Sequence, residues 1–178
     1  ANPAGEQKPD TYWAGKGLGR AARIAEIADL VDQTSTRDKA LSTMKSTLQN
    51  WLTASAGETD HLFYYDQNWG TLIGYDASYG SDAELNDHHF HYGYFLYAAG
   101  VLSQDDPDLA ARFRPVMDLV AADIGSNADN GSFPNRRTFD AYAGHSWASG
   151  TSPFADGNNQ ESSSEAITAW TGLAKWAK

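Results

Sequence analysis

The sequence predicts an all-α protein: helical hairpins forming part of a toroid, with a short β-hairpin and long aromatic loops collected at one end of the helices. Three observations carry that reading. Apolar residues recur at helical spacing in five segments, Gly and Pro fall between those segments, and two intervening stretches are rich in aromatics where a linker would not be.

The first helix is expected over 13–31, where Leu18, Ala21, Ala22, Ala25, Ala28 and Val31 share one face. After a polar turn over 32–36, Ala40, Leu41, Met44, Leu48, Trp51 and Leu52 repeat the period, so a second helix returns along the first as a hairpin. From His61 to Ile73 the pattern changes to Phe63, Tyr64, Tyr65, Asp66, Trp69 and Gly70, which suits a short β-hairpin or an extended loop. A third helix is expected over 86–102, capped by Asn86 or Asp82. After Asp106-Pro107 a fourth helix is expected from Asp108 to about Ile124, closing a second helical hairpin.

The stretch from Gly125 to Asn159 is long and irregular, yet it carries Phe133, Phe139, Tyr142, His145, Trp147 and Phe154, too many aromatics for a linker. The last helix is expected from about Asn159, with Ala166, Ile167, Trp170, Leu173, Ala174 and Ala177 on one face. A closed toroid of six hairpins needs about twice as many helices, and an apolar helix face must be buried against something. The chain is therefore expected to be a fragment, or half of a dimer that completes the missing wall.

Composition narrows the partners. With 178 residues and 41% hydrophobic content the chain can bury a core of its own and counts as one domain over 1–178. The net charge of -10, with few and scattered basic residues, argues against a nucleic-acid partner. Six Trp and nine Tyr combine apolar rings with polar tips, a surface suited to sugar rings. The absence of Cys excludes a disulfide framework, a thiolate metal site and a cysteine nucleophile. No apolar run is long enough to span a membrane, and the start at Ala1-Asn2-Pro3-Ala4-Gly5 lacks a signal peptide's pattern. A soluble, secreted protein with its export signal already removed is expected.

Two clusters carry the chemistry. Residues 86–94, Asn86-Asp87-His88-His89-Phe90-His91-Tyr92-Gly93-Tyr94, gather an acid, three histidines and three aromatics at the start of a helix. Residues 160–165, Gln160-Glu161-Ser162-Ser163-Ser164-Glu165, supply two carboxylates at the start of another. Cleaving the acetal between two sugars needs an acid to protonate the leaving oxygen and a carboxylate to activate water or attack directly. The pair stands about 6.5–9.5 Å apart in inverting enzymes and about 5–5.5 Å apart in retaining ones. Glu161 and Glu165, read as i and i+4 on one helix, project the same way and do not straddle a bond by themselves. The pair is therefore Asp87 opposite Glu161 or Glu165.

Each cluster also has a plainer reading. Asp87 suits a helix cap, the glutamates and serines suit a solvated helix start, and Tyr65, Asp66 and Trp69 suit ordinary hairpin packing. His145 and Trp147 suit loop packing as well as sugar stacking. His88, His89 and His91 invite a metal, but the cluster lacks the i, i+4 histidine pair of helical zinc sites. The histidines fit better as partners of sugar hydroxyls or of Asp87, and neither a metal nor a cofactor is expected.

Four motifs in order, Tyr65-Asp66 with Trp69-Gly70, Leu85 to Tyr94, Ala143-Gly144-His145-Ser146-Trp147-Ala148, and Gly157 to Ala166, resemble glycoside hydrolase family 81, the endo-1,3-beta-glucanases or laminarinases. The early Tyr12-Trp13-Ala14-Gly15-Lys16-Gly17-Leu18 is similar to the segment that opens that family's helical region, so the resemblance covers nearly the whole chain. Two departures stand out. Nothing here reads as the family's β-sandwich domain, and Thr71 follows Trp69-Gly70 where a second glycine is expected.

The resemblance implies an (alpha/alpha) barrel and endo-hydrolysis of 1,3-beta-D-glucosidic linkages in laminarin, curdlan or cell-wall glucan with inversion. It makes Asp87 the general acid and the two glutamates candidate bases. Glu165 is expected to activate water, with Glu161 binding sugar or tuning its neighbour. Tyr65, Asp66, Trp69, His88, His91, Tyr94, His145 and Trp147 are expected to bind beta-1,3-glucan, with Lys16, Arg136 and Arg137 as further polar candidates. The remaining N-terminal portions of the catalytic module are an implied partner. A non-catalytic glucan-binding fragment and a histidine-based metal enzyme are the alternatives. One tension follows: a helix N-terminus lowers the pKa of Asp87, so burial or a like charge must raise it if it is to act as an acid.

Overall fold

The computed structural model describes residues 2–5, 8–127, 131–152, 155 and 157–178; Phe154 lies outside the described residues. The order of elements is α1 (Thr11–Leu30), α2 (Thr34–Trp51), β1 (Leu62–Asp66), β2 (Thr71–Tyr75), α3 (His88–Asp105), α4 (Pro107–Gly125), β3 (Phe139–Asp140), β4 (His145–Ser146) and α5 (Ser163–Trp176).

Local chemistry sets the helix ends. Asp10 caps α1 by accepting from the backbone N–H groups of Tyr12 and Trp13, each at 3.0 Å. Asp106 ends α3 and caps α4, accepting from Leu109 N at 3.0 Å, while its other oxygen takes Lys45 of α2 at 2.8 Å. One acidic residue thus joins the two helical hairpins.

The centre of the molecule is α3, whose residues from His88 through Leu102 are all buried, as befits a helix that is apolar all round. It packs against α1, α4 and α5. The core runs from Leu18 through Met44, Leu48 and Trp51 to Tyr92, Phe95, Leu96, Met117 and Ile124. Against α5 the approach is backbone to backbone. A Cβ on Gly93 would stand 2.4 Å from the Cβ of Ala169, one on Gly100 2.6 Å from the Cβ of Lys175, and one on Gly172 2.7 Å from Tyr97 N. Side-chain bonds finish the seating: Lys175 to Glu26 of α1 at 2.7 Å, Arg23 of α1 to Thr168 at 2.7 Å, and the Trp176 indole to Asp118 of α4 at 2.8 Å.

The expected hairpin forms between β1 and β2, antiparallel with Phe63 opposite Gly74 and Tyr65 opposite Leu72. Its turn is held by Asp66, which accepts from Asn68 N at 2.9 Å and Trp69 N at 3.1 Å. Tyr92 ties the hairpin to α3, donating to Leu72 O and accepting from Gly74 N, both at 3.0 Å.

Three details depart from the sequence reading. Helix α3 starts at His88 rather than Asn86, because Leu85 and Asp87 adopt left-handed backbone angles (φ 54° and 57°) that no helix continues through. Helix α5 starts at Ser163 rather than near Asn159, since Glu161 is left-handed (φ 57°) and Ser162 serves as the cap. Glu161 and Glu165 therefore do not share a helix. The 125–159 stretch contains a second hairpin, β3–β4, with Phe139 opposite Ser146, which two-residue strands do not announce by periodicity.

The tight α3–α5 crossing makes a definite prediction. Gly93→Ala forces the helices apart and is expected to destabilise the fold by about 1–3 kcal/mol, read from the midpoint of denaturant unfolding.

Candidate active site

The start of α3 and the segment leading into α5 meet at a cavity of about 220 Å³, lined by Asp87, Phe90 and His91 from one side, Glu161 and Glu165 from another, and Tyr12 and Tyr79 across the mouth. Asp87 reaches it because its backbone is locked from both directions. Its N–H donates to Ala148 O at 2.9 Å, and its carbonyl accepts from Phe90 N and His91 N at 2.9 and 3.0 Å. The positive φ turns its side chain away from the helix end, so it makes no cap hydrogen bond.

That geometry resolves the tension over its acidity. One oxygen, Oδ2, accepts from Asn86 at 3.1 Å; the other, Oδ1, is buried without a partner among the described residues. Burial first, then the negative charges of Glu161, Glu165 and Glu84, push the Asp87 carboxyl up to about 7. A substantial share of it therefore carries a proton near neutral pH, and one of its oxygens is uncommitted among the described residues.

Glu165, in the first turn of α5, accepts at Oε1 from the Tyr94 hydroxyl at 2.8 Å and the Tyr12 hydroxyl at 3.1 Å, with Lys16 Nζ 3.7 Å away. Lys16 also donates to Tyr12 at 3.2 Å. Burial and the hydrogen bond to Glu165 raise the Tyr94 phenol, so it stays a donor. Glu161 is exposed, on the approach to the same cavity.

The three histidines turn to three different surroundings. His91 lines the cavity and shares a 2.7 Å hydrogen bond with Thr11; burial first, then the neighbouring His88, lower it to about 4, so it is neutral. His89 is buried against Trp170, 6.1 Å between ring centres and nearly parallel, and burial lowers it to about 3.

His88 does not reach the cleft, which corrects its expected role in sugar binding. It is fully buried, its Nδ1 2.6 Å from Asp123 Oδ2 and its Nε2 2.8 Å from Ser81 O, so both nitrogens are spent on acceptors. Arg137 is likewise structural, donating to Asp123 Oδ1 at 2.6 Å and to Thr71 at 2.9 Å. Burial opposes ionisation of Asp123, but His88 and Arg137 prevail and hold its carboxyl below the usual range. The histidines diverge, and among the described residues no group of three or more His, Asp or Glu is placed to hold an ion.

The remaining sugar-binding candidates lie outside the Asp87 cavity. Asp66 and Trp69 line a second cavity of about 250 Å³ with Ile73, Asp82, Ala83 and Leu85, and Trp69 is 72% exposed. The Tyr65 hydroxyl donates to Ser132 O, and its ring packs on Phe133. His145 meets Trp147 edge to face, and the Trp147 indole donates to Asp140 at 3.2 Å.

Tyr12 and Tyr79 are the cavity residues that sequence reasoning missed. Tyr79, 60% exposed, stands edge-on to Tyr12 at 5.1 Å; its one signal is an isolated aromatic in the polar 76–86 stretch.

A helical module that aims one carboxyl of raised pKa and two further carboxylates into a single cleft has the equipment of a glycoside hydrolase. Residues 3–178 match the glycosyl hydrolase family 81 C-terminal domain, and the chain belongs to that family. It is 54% identical over 172 residues to a glucan endo-1,3-beta-D-glucosidase of Acetivibrio thermocellus, covering 95% of this chain and 22% of that protein. A protein of the same name from Thermobifida fusca is 48% identical, over 89% of this chain and 21% of its own length.

Among solved structures, a mutant of the family 81 glycoside hydrolase from Clostridium thermocellum superposes with a TM-score of 0.89 at 53% identity, covering 96% of this chain and 24% of that one. The five helices match its (alpha/alpha)-barrel-type architecture. The chain spans about a fifth to a quarter of the length of these relatives.

The raised Asp87 acidity has a measurable consequence for stability. A carboxyl at about 7 in the folded state and 3.8 when unfolded stabilises the fold below about pH 4 and loses that contribution as pH rises through 7. Asp87→Asn is therefore expected to be more stable than the parent at pH 8, by about 2 kcal/mol after allowing for solvent on its open side, with the difference gone near pH 4. Thermal unfolding at the two pH values checks the sign.

Proposed function

We propose that this chain carries the acid–base machinery for endo-hydrolysis of 1,3-beta-D-glucosidic linkages in beta-1,3-glucan, with inversion at the anomeric carbon. The observation that carries the reading is Asp87, an acid that shares one cavity with two glutamates and whose carboxyl is pushed up to about 7. In this scheme Asp87 donates its proton to the glycosidic oxygen as the bond breaks, while a carboxylate across the sugar takes a proton from water attacking the opposite face.

For that second role we assign Glu161, exchanging the expected order of the two glutamates. Its carboxylate is exposed to water and is the largest like-charge influence on Asp87, whereas Glu165 already accepts from two phenols beside a lysine. Glu165 then serves as a fixed negative charge that keeps Asp87 protonated and supports the oxocarbenium-like transition state. Tyr79 and His91 supply a ring face and a neutral imidazole for the sugar. Trp69 and Asp66 would hold a more distant part of the glucan chain. The relatives' designation as glucan endo-1,3-beta-D-glucosidases supports the linkage, and we assign this chain to the extracellular space, where polymeric glucan is found.

One specific observation favours a second reading. Because the chain spans so little of its relatives, it would bind glucan without cleaving it if the cleft needs walls supplied by the remainder.

Laminarin digestion followed by proton NMR separates these outcomes. Initial release of the alpha-anomer supports inversion, the beta-anomer overturns it, and binding without product supports the second reading. Asp87→Asn is expected to lower kcat by about 100-fold or more, and the parent's rate is expected to decline above pH 7. Glu161→Gly, which also relieves a left-handed backbone, is expected to regain turnover with azide and give the alpha-glycosyl azide. Azide rescue of a Glu165→Gly variant instead would return the base to Glu165.

A further inference from the structure

We infer that Tyr94 is a positioning residue for Glu165, and that glycines on the neighbouring face of α1 are present to seat it. The inference rests on the proposal that Glu165 acts in the cleft. Its starting point is a run that function has not yet explained: Gly15-Lys16-Gly17-Leu18-Gly19, inside a 20-residue helix. Glycine in a helix interior costs about 0.5–1 kcal/mol relative to alanine, so three in five residues need a reason.

Two of the three have a steric one. A Cβ on Gly19 would stand 2.5 Å from Cδ1 of the Tyr94 ring, and one on Gly15 would stand 2.9 Å from His91 O and 3.3 Å from the Tyr94 Cβ. The notch lets the Tyr94 ring lie against the α1 backbone, 9% exposed, and its hydroxyl emerges on Glu165 Oε1 at 2.8 Å. A residue with a Cβ at position 19 would push that hydroxyl out of reach.

The second tether has a defined direction. Lys16 can only donate, so the Tyr12 hydroxyl accepts from it and directs its own proton to the same Oε1. Among the described residues every hydrogen bond to this carboxylate lands on Oε1, and Oε2 takes none. A free glutamate has up to about 2 kcal/mol of rotamer entropy to lose, and two phenols of fixed position remove that freedom in advance.

Glu165 also borders a groove of about 480 Å³ lined by Arg20 and Arg23. The two phenols, with Lys16 3.7 Å away, fix the carboxylate so that it does not follow those arginines.

The test uses the protein that hydrolyses laminarin, with Asp87→Asn run alongside. Tyr94→Phe keeps the ring in its notch and deletes the hydroxyl. It is expected to lower kcat by about 10- to 100-fold, with KM and the unfolding midpoint little changed. In a Glu165→Gln background the same change is expected to add less than about twofold, because Tyr94 acts only through Glu165.

Gly19→Ala is expected to repeat the loss of kcat with reduced stability, and to cost no further kcat in Tyr94→Phe. A parental kcat in Tyr94→Phe, or an undiminished loss in the Glu165→Gln background, overturns the inference. Activity retained in Asp87→Asn overturns the underlying functional reading instead.

Discussion

Everything at the cleft depends on how closely α5 lies against α3. Gly93, Gly100 and Gly172 let two backbones touch where side chains would hold them several ångströms apart, and that contact sets where the first turn of α5 falls. Glu165 sits in that first turn, facing the cavity that Asp87 lines, and Tyr94 lies nearly two turns beyond the start of α3 with its hydroxyl on Glu165. A small shift in the crossing would separate the carboxylates that raise Asp87 from the acid they act on. The same device recurs on the other side of α3, where Gly15 and Gly19 bring α1 close enough for Tyr94 to bridge from one helix to the other.

Two acids near the start of α3, one buried and one half-buried, show how environment divides chemical roles. Asp123 is enclosed, yet His88, Arg137, Thr71 and a backbone N–H surround it, so it remains charged and ties α3, α4, β2 and the 137–138 loop together. Among the described residues Asp87 has one amide partner, no cation against it and three acids around it, so its carboxyl is pushed up to about 7. The first arrangement is a structural lock, since removing either partner would strand a buried charge. The second stores the strain of an acid held above its ordinary range, which is the condition for proton transfer near neutral pH. They are joined by adjacency: His88, the lock's member on α3, directly follows Asp87 in the chain.

Much of the framework was legible from periodicity alone. The five helices of the described residues, the pairing of the first four into hairpins and the β1–β2 hairpin follow from apolar spacing and from Gly and Pro punctuation. The cluster at 86–94 and the glutamates at 161 and 165 also stood out by composition. Within those clusters sequence could not sort function from scaffold. His88 and His91 are three residues apart on one helix, yet one is consumed by Asp123 and the other lines the cleft. Asp66 and Trp69 matched a motif as well as Asp87 did, but they border a separate cavity. Tyr79 carried almost no signal.

What the sequence determined by itself was the set of local conformations and the inventory of groups able to do acid–base chemistry, because helix periodicity, capping and side-chain ionisation are properties of short stretches. Only the tertiary structure decided which groups meet. The left-handed angles at Asp87 and Glu161, the acidity of Asp87 and the capture of Glu165 by Tyr12 and Tyr94 all depend on contacts between residues up to about 150 positions apart. Electrostatic coupling acts through distance in space, and distance along the chain does not reveal it.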